Sequence, residues 1–139
     1  TGTCTLTGYV VVDDVGRVIN PLLVKGQVHG GVVQGVGQIL FEDIRYDEDG
    51  QLLTGSFMDY AMPRASNFPD LVCKANEVLT PMNPLGVKGA GEAGTVGALA
   101  AVVNAIVDAL SPFGVDHIEM PATPERIWRT IRDAKAARG

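Results

Sequence analysis

Residues 26–38 read Gly26-Gln27-Val28-His29-Gly30-Gly31-Val32-Val33-Gln34-Gly35-Val36-Gly37-Gln38. Around this stretch the apolar Leu22, Val28, Val32, Val36, Ile39 and Leu40 recur at spacings of three and four with one longer step, which predicts a helix from Leu22 to about Glu42. Asn20-Pro21 supplies an N-cap and a proline at the first helical position. Yet the five glycines of this stretch would cost such a helix about 4–5 kcal/mol against alanine, so something offsets them. Gln27, Gly31, Gln34 and Gln38 share one helical face of carboxamide and bare backbone, opposite the valines. Two readings remain open. Either another helix packs closely on the glycines while the glutamines face water, or Gln27, Gly30, Gly31 and Gln34 wall a large ligand to which the amides donate and accept. His29 has no second ligand one turn away and reads as a packed or solvent-facing imidazole.

A second glycine window, Gly86 to Gly97, formally contains G-x-G-x-x-G at Gly89, Gly91 and Gly94. A dinucleotide fingerprint needs an apolar strand immediately before it, and Pro81-Met82-Asn83-Pro84 stands there instead. What survives is the physics of glycine-rich backbone entering a helix: free N–H groups and a positive dipole end cradle an anion. Glu92 is the only acid between Glu77 and Asp108, among Gly, Ala, Val and Thr, with Lys88 as the nearby cation. Glu92 can be a first-turn acid that only stabilises its helix, but burial there disfavours the charged form and prepares a carboxyl for base work near neutral pH, which is the expectation favoured for Glu92.

The two windows hold ten of the 17 glycines in 139 residues. Charged residues make up 19% of the chain, against a usual ~25%, so apolar surface exceeds what one small domain needs. A formal charge of −5 opposes nucleic acid or an anionic membrane surface as partner. Cys4 and Cys73 stand alone, which fits a reducing compartment and leaves no spacing for a metal centre. The N-terminal residues lack the pattern of a secretory leader, and Ala93 to Leu110 is interrupted by Asn104 and Asp108, so no membrane span is expected.

Leu6 to Asp14 reads as a strand covered on both sides. Ile44-Arg45-Tyr46 and Gln51 to Thr54 read as a hairpin about the turn Asp47 to Gly50, which lacks calcium-loop spacing. Further strands are expected at Phe57 to Tyr60, Leu71 to Leu79 and Val115 to Glu119, and a helix buried on most sides from Glu92 or Ala93 to Leu110. Thr123-Pro124-Glu125 opens a last helix with Ile127, Trp128 and Ile131 inward. The fold class is α+β: a mixed sheet with a glycine-rich helix, a buried apolar helix and a C-terminal helix, residues 1–139 forming one domain.

Taken in order, Gly26-Gln27-x-x-Gly30-Gly31-x-x-Gln34-Gly35-x-Gly37 and Asn83-Pro84-x-Gly86-x-Lys88-Gly89-x-Gly91-Glu92 resemble the C-terminal cofactor-binding segment of the molybdenum hydroxylases. This is the xanthine dehydrogenase and aldehyde oxidoreductase family, and the likeness is greatest to large subunits of the aerobic carbon monoxide dehydrogenase type. It extends from Tyr9-Val10-Val11-Val12-Asp13-Asp14 to Met120-Pro121-Ala122-Thr123-Pro124-Glu125-Arg126. The resemblance implies molybdopterin (cytosine) dinucleotide with Mo, no protein ligand to the metal, and Glu92 as the base that deprotonates the oxygen nucleophile. It implies Gln27 as a cofactor contact, with Gly30, Gly31 and Gln34 on the same face, and the backbone of Lys88, Gly89, Ala90 and Gly91 against the cofactor. FAD and 2Fe–2S centres are then expected on separate flavin and iron–sulfur subunits, and the remainder of the large subunit on a preceding segment. The substrate is then expected to be a small molecule (CO, an aldehyde or an N-heterocycle) and the setting cytoplasmic, and the isolated chain is expected to be inactive and prone to self-association. A non-catalytic packing fragment and a dinucleotide module through Gly89, Gly91 and Gly94 are the alternatives.

Overall fold

Asn20 starts the first helix as expected: its Oδ1 accepts from the amides of Leu22 (3.1 Å) and Leu23 (3.2 Å), and Pro21 takes the position whose N–H would go unused. In the computed structural model, which describes residues 1–138, the elements are β1 (Tyr9–Asp13), α1 (Pro21–Leu40), β2 (Leu71–Ala75), α2 (Ala93–Leu110) and α3 (Pro124–Ala136). Short 3-10 turns stand at Ala65–Asn67 and Ser111–Phe113. Helices and a small sheet make the chain α+β. It divides into two compact units, one of Leu6–Gly35 with Ala65–Ala98, the other of Thr1–Thr5, Val36–Arg64 and the chain from Leu99 on.

The first unit holds the sheet. β1 and β2 pair in parallel, Tyr9 opposite Leu71 through Asp13 opposite Ala75, so the expected mixed sheet is a parallel pair. Among the described residues, antiparallel pairing is limited to the single bridges Gly16–Val87 and, in the other unit, Tyr46–Leu52. The strand expected on Leu6 to Asp14 is shorter, and its cover on both sides is corrected: Val10 is 67% exposed and Val12 58%. β2 stops at Ala75, short of Leu79, because β1 ends. The Asn76 amide takes the last carbonyl, that of Asp13 (2.9 Å), and the Val78 amide turns to the Asp14 side chain (3.1 Å).

The second unit carries much of the apolar core: Val36, Ile39, Leu40, Val102, Ile106, Leu110, Val115, Ile118, Ala122 and Ile127 are buried. Thr123 caps α3 by accepting from the Arg126 amide, Pro124 follows it, and Glu125 pairs with Arg129 one turn on. Ile127 points inward as expected, but Trp128 is 44% exposed with the Arg132 guanidinium over its ring.

Four further expectations are corrected. Phe57 to Tyr60 is a turn: the amides of Asp59 and Tyr60 both donate to the Ser56 carbonyl, and Ser56 Oγ donates to Asp59 (2.7 Å). A local serine network thus outcompetes strand pairing. Among the described residues Val115 to Glu119 pairs with no strand; Val115 and Ile118 are core residues of a segment without regular secondary structure. Finally, α2 is buried along one face only, at Thr95, Ala98, Val102, Ile106 and Leu110. Ala93–Phe113 is long and apolar enough to cross a bilayer by length and composition. Leu22, expected in the core stripe of α1, is also exposed.

Candidate functional site

The first unit brings the two glycine windows together. At Gly31, which is buried, a Cβ would stand 2.9 Å from the Thr95 amide nitrogen and 3.1 Å from Thr95 Oγ1. One at Gly94 would collide with the Val28 carbonyl and come within 3.0 Å of the Val32 nitrogen. Here α1 meets the start of α2 backbone to backbone, and Thr95 Oγ1 lies 3.2 Å from Gln34 Oε1, donating to it. Close packing therefore accounts for Gly31. It does not account for Gly30, which is exposed and whose absent side chain would meet nothing within 4 Å. The two open readings of this helix face thus apply to adjacent residues.

The loop before α2 is built from its own side chains. Asn83 both accepts from the Val87 amide (3.1 Å) and donates to its carbonyl (2.9 Å), and Gly86 takes φ +70° at the tight point between them. No strand leads into Gly89, which removes the structural context that a dinucleotide fingerprint requires. The Lys88 amide donates to the Val15 carbonyl (2.9 Å), and the Lys88 ammonium pairs with Asp14 rather than with Glu92. That hydrogen bond, with a second from the Gly16 amide, holds the Asp14 carboxyl below its ordinary value.

Beyond Lys88 the backbone is bare. Among the described residues, no hydrogen bond engages the N–H groups of Gly89, Ala90, Gly91 or Glu92. A Cβ at Gly89 or Gly91 would meet nothing within 4 Å. One contact crosses from α1: Gln27 Nε2 donates to the Gly91 carbonyl at 2.6 Å. Glu92 stands just before α2, its carbonyl accepting from the Thr95 (3.0 Å) and Val96 (3.2 Å) amides. Its side chain is exposed, so the apolar burial expected from its neighbours is corrected: those neighbours are too small to enclose it.

Gln27 and Gly91 are thus brought together, Gln34 is tied to Thr95, and Lys88 is turned away from Glu92. Sequence reasoning missed Asp14 and Thr95. A carboxylate directly after a strand and two residues before a glycine was the available signal for Asp14; Thr95 offered none beyond its place in the second window. A crevice lined by Asp13, Lys25 and Cys73 lies elsewhere in this unit, where burial raises the Cys73 thiol and leaves Asp13 Oδ2 without a hydrogen-bond partner. His29 is half-buried, and no group of three or more His, Cys, Asp or Glu gathers among the described residues.

The family described as molybdopterin cofactor-binding domain matches residues 1–69. The chain is 47% identical over 133 residues to the nicotine 6-hydroxylase large subunit of Paenarthrobacter nicotinovorans, covering 91% of this chain and 16% of that one. Among solved structures, reconstituted CO dehydrogenase from Oligotropha carboxidovorans superposes with a TM-score of 0.92 at 34% identity, over 99% of this chain and 17% of that one. Quinoline 2-oxidoreductase from Pseudomonas putida 86 gives 0.89 at 43%, over 93% and 16%. The chain therefore spans about one sixth of the relatives it matches.

Proposed function

We propose, because this chain belongs to the molybdenum hydroxylase family of large subunits, that it is the C-terminal part of a molybdopterin-binding domain and supplies a catalytic base. The cofactor is molybdopterin cytosine dinucleotide with Mo, which when bound supplies the two-electron oxidising chemistry. The residues present suit such a group. Free N–H groups at Gly89, Ala90 and Gly91 can donate to its anionic and carbonyl oxygens, the open glycines let a flat ligand approach the backbone, and Gly30 keeps the α1 face bare beside the Gln27 amide. Lys88 acts by holding its end of the loop to Asp14.

Glu92 accepts the proton at its carboxylate. This chain leaves that side chain open, so the water-excluding cover comes from the cofactor, the substrate and the remainder of the large subunit. Exposed apolar residues, among them Val10, Val12, Val72 and Val96, are the surface on which that remainder packs. Flavin and iron–sulfur subunits carrying FAD and 2Fe–2S complete a cytoplasmic enzyme that hydroxylates or oxidises a small substrate: CO, an aldehyde or an N-heterocycle. The higher identity to the nicotine and quinoline enzymes than to CO dehydrogenase supports the N-heterocycle class.

The observation that carries this reading is the 2.6 Å bond from Gln27 to Gly91, which puts the glutamine of one window beside the residue preceding Glu92 of the other. Turnover of the complete loaded enzyme with Glu92→Gln should fall by about 10²- to 10⁴-fold, the contribution of a positioned base. Near-normal turnover would refute the catalytic assignment. That result would favour the second reading, a non-catalytic packing fragment, to which the exposure of Glu92 itself lends weight.

A further inference from the structure

The segment from Lys88 to Glu92 is fastened at its two ends and free between them. At one end the Lys88 amide is bound to Val15, its ammonium to Asp14, and Val87 bridges Gly16. Gly89 and Ala90 follow with no hydrogen bond from their amides and no neighbour at the position of a glycine side chain. At the other end the contact from outside the segment and its helix is the Gln27 amide on the Gly91 carbonyl. On the C-terminal side Glu92 is held through Gly94, which packs on Val28 two residues further on; on the N-terminal side, without the Gln27 bond, three linked residues, two of them glycine, would separate it from Lys88, and glycine loses more conformational freedom on ordering than any other residue.

A carbonyl oxygen only accepts, so the atom of Gln27 facing Gly91 has to be its nitrogen. The amide is thereby oriented, and Oε1 remains as an acceptor. Gln27 projects from α1, whose position is set within about one turn of it by the Gly94–Val28 and Gly31–Thr95 approaches. The chain of support runs from helix packing, through one side-chain amide, to the backbone carbonyl adjoining Glu92.

We infer that Gln27 is a positioning residue for Glu92: besides any contact with cofactor, its amide clamps the Gly91 carbonyl and so sets the orientation of the peptide between Gly91 and Glu92, and with it where the Glu92 carboxylate stands. This deepens the proposed function and rests on it for the meaning of Glu92, while the clamp itself can be tested separately.

The test uses the complete large subunit without cofactor. Gln27→Met keeps the length and helix preference of the side chain and removes the donor; Gln27→Glu keeps length and polarity and also removes it. In both variants hydrogen exchange at the Thr95 and Val96 amides, which donate to the Glu92 carbonyl, should quicken about three- to tenfold, the effect of one lost hydrogen bond. Exchange within α1, at Val32 and Val36, should stay unchanged and certify the fold. In the loaded enzyme the same variants should lower kcat by roughly ten- to a hundredfold with KM little altered. Wild-type exchange at Thr95 and Val96 in both variants overturns the clamp and leaves the base assignment standing. Quickened exchange together with normal turnover of Glu92→Gln overturns the base assignment, and with it the catalytic sense of the positioning.

Discussion

Two neighbouring glycines in α1 should respond to alanine with opposite signs. Gly30→Ala places a methyl where nothing lies within 4 Å, so it gains helix propensity alone, about 0.8–1.0 kcal/mol. Gly31→Ala gains the same propensity but sets its methyl 2.9 Å from the Thr95 amide nitrogen and 3.2 Å from Gly94 Cα, both backbone atoms that cannot swing aside. Overpacking of this kind costs about 1–3 kcal/mol. Displacing Thr95 also weakens its hydrogen bond to Gln34, worth about 0.5–1.5 kcal/mol. The net is a destabilisation of about 1–2 kcal/mol. Native-state hydrogen exchange across α1 in the cofactor-free large subunit reads both changes: amides near Val32 should exchange about fivefold slower in Gly30→Ala and about five- to thirtyfold faster in Gly31→Ala. Shifts of the same sign in the two variants would refute the reasoning, since propensity alone moves both together. Gly30→Ala carries a second expectation: on the face proposed for the cofactor, its methyl should lower cofactor loading while stabilising the helix.

The Asp14–Lys88 pair should make the loop before Glu92 sensitive to acid. The folded Asp14 carboxyl titrates below its ordinary value of 3.8, so its stabilisation is fully present above that value and is lost as pH falls through the lower folded one. Limited proteolysis in the 77–92 region should show wild type better protected than Lys88→Met at pH 6 and the two alike near pH 2; a protection difference that persists at the lowest pH would count against it. Separately, the isolated chain should self-associate through Val10, Val12, Val72 and the outer side of α2, such as Val96. Sedimentation showing a monomer at high concentration would remove that reading of the exposed apolar surface.

Helix α1 was legible because its signals are local: a cap, a first-turn proline and a valine stripe of helical period each act within a few residues. The same holds for the Thr123 cap of α3. Strand expectations fared worse at Phe57 to Tyr60 and Val115 to Glu119, where β-compatible composition met no partner, and at Tyr60 the serine turn used the amide a partner would have needed. The apolar character of α2 was read as burial on most sides, but composition cannot tell cover supplied by this chain from cover supplied by another. For the site, Gln27, Gly91 and Glu92 were singled out by residue type and window, and the structure adds the bond between the first two.

By itself, then, the sequence determined the helices, the two glycine windows and the family to which their order belongs, because caps, periodicity and motif spacing are properties of neighbouring residues. Tertiary structure alone decided which glycine is a packing contact and which an open face, that Lys88 serves Asp14 instead of Glu92, and that Gln27 reaches Gly91. Those outcomes depend on backbone approaches between residues more than sixty positions apart, where differences of an ångström choose the partner and no local pattern records the choice.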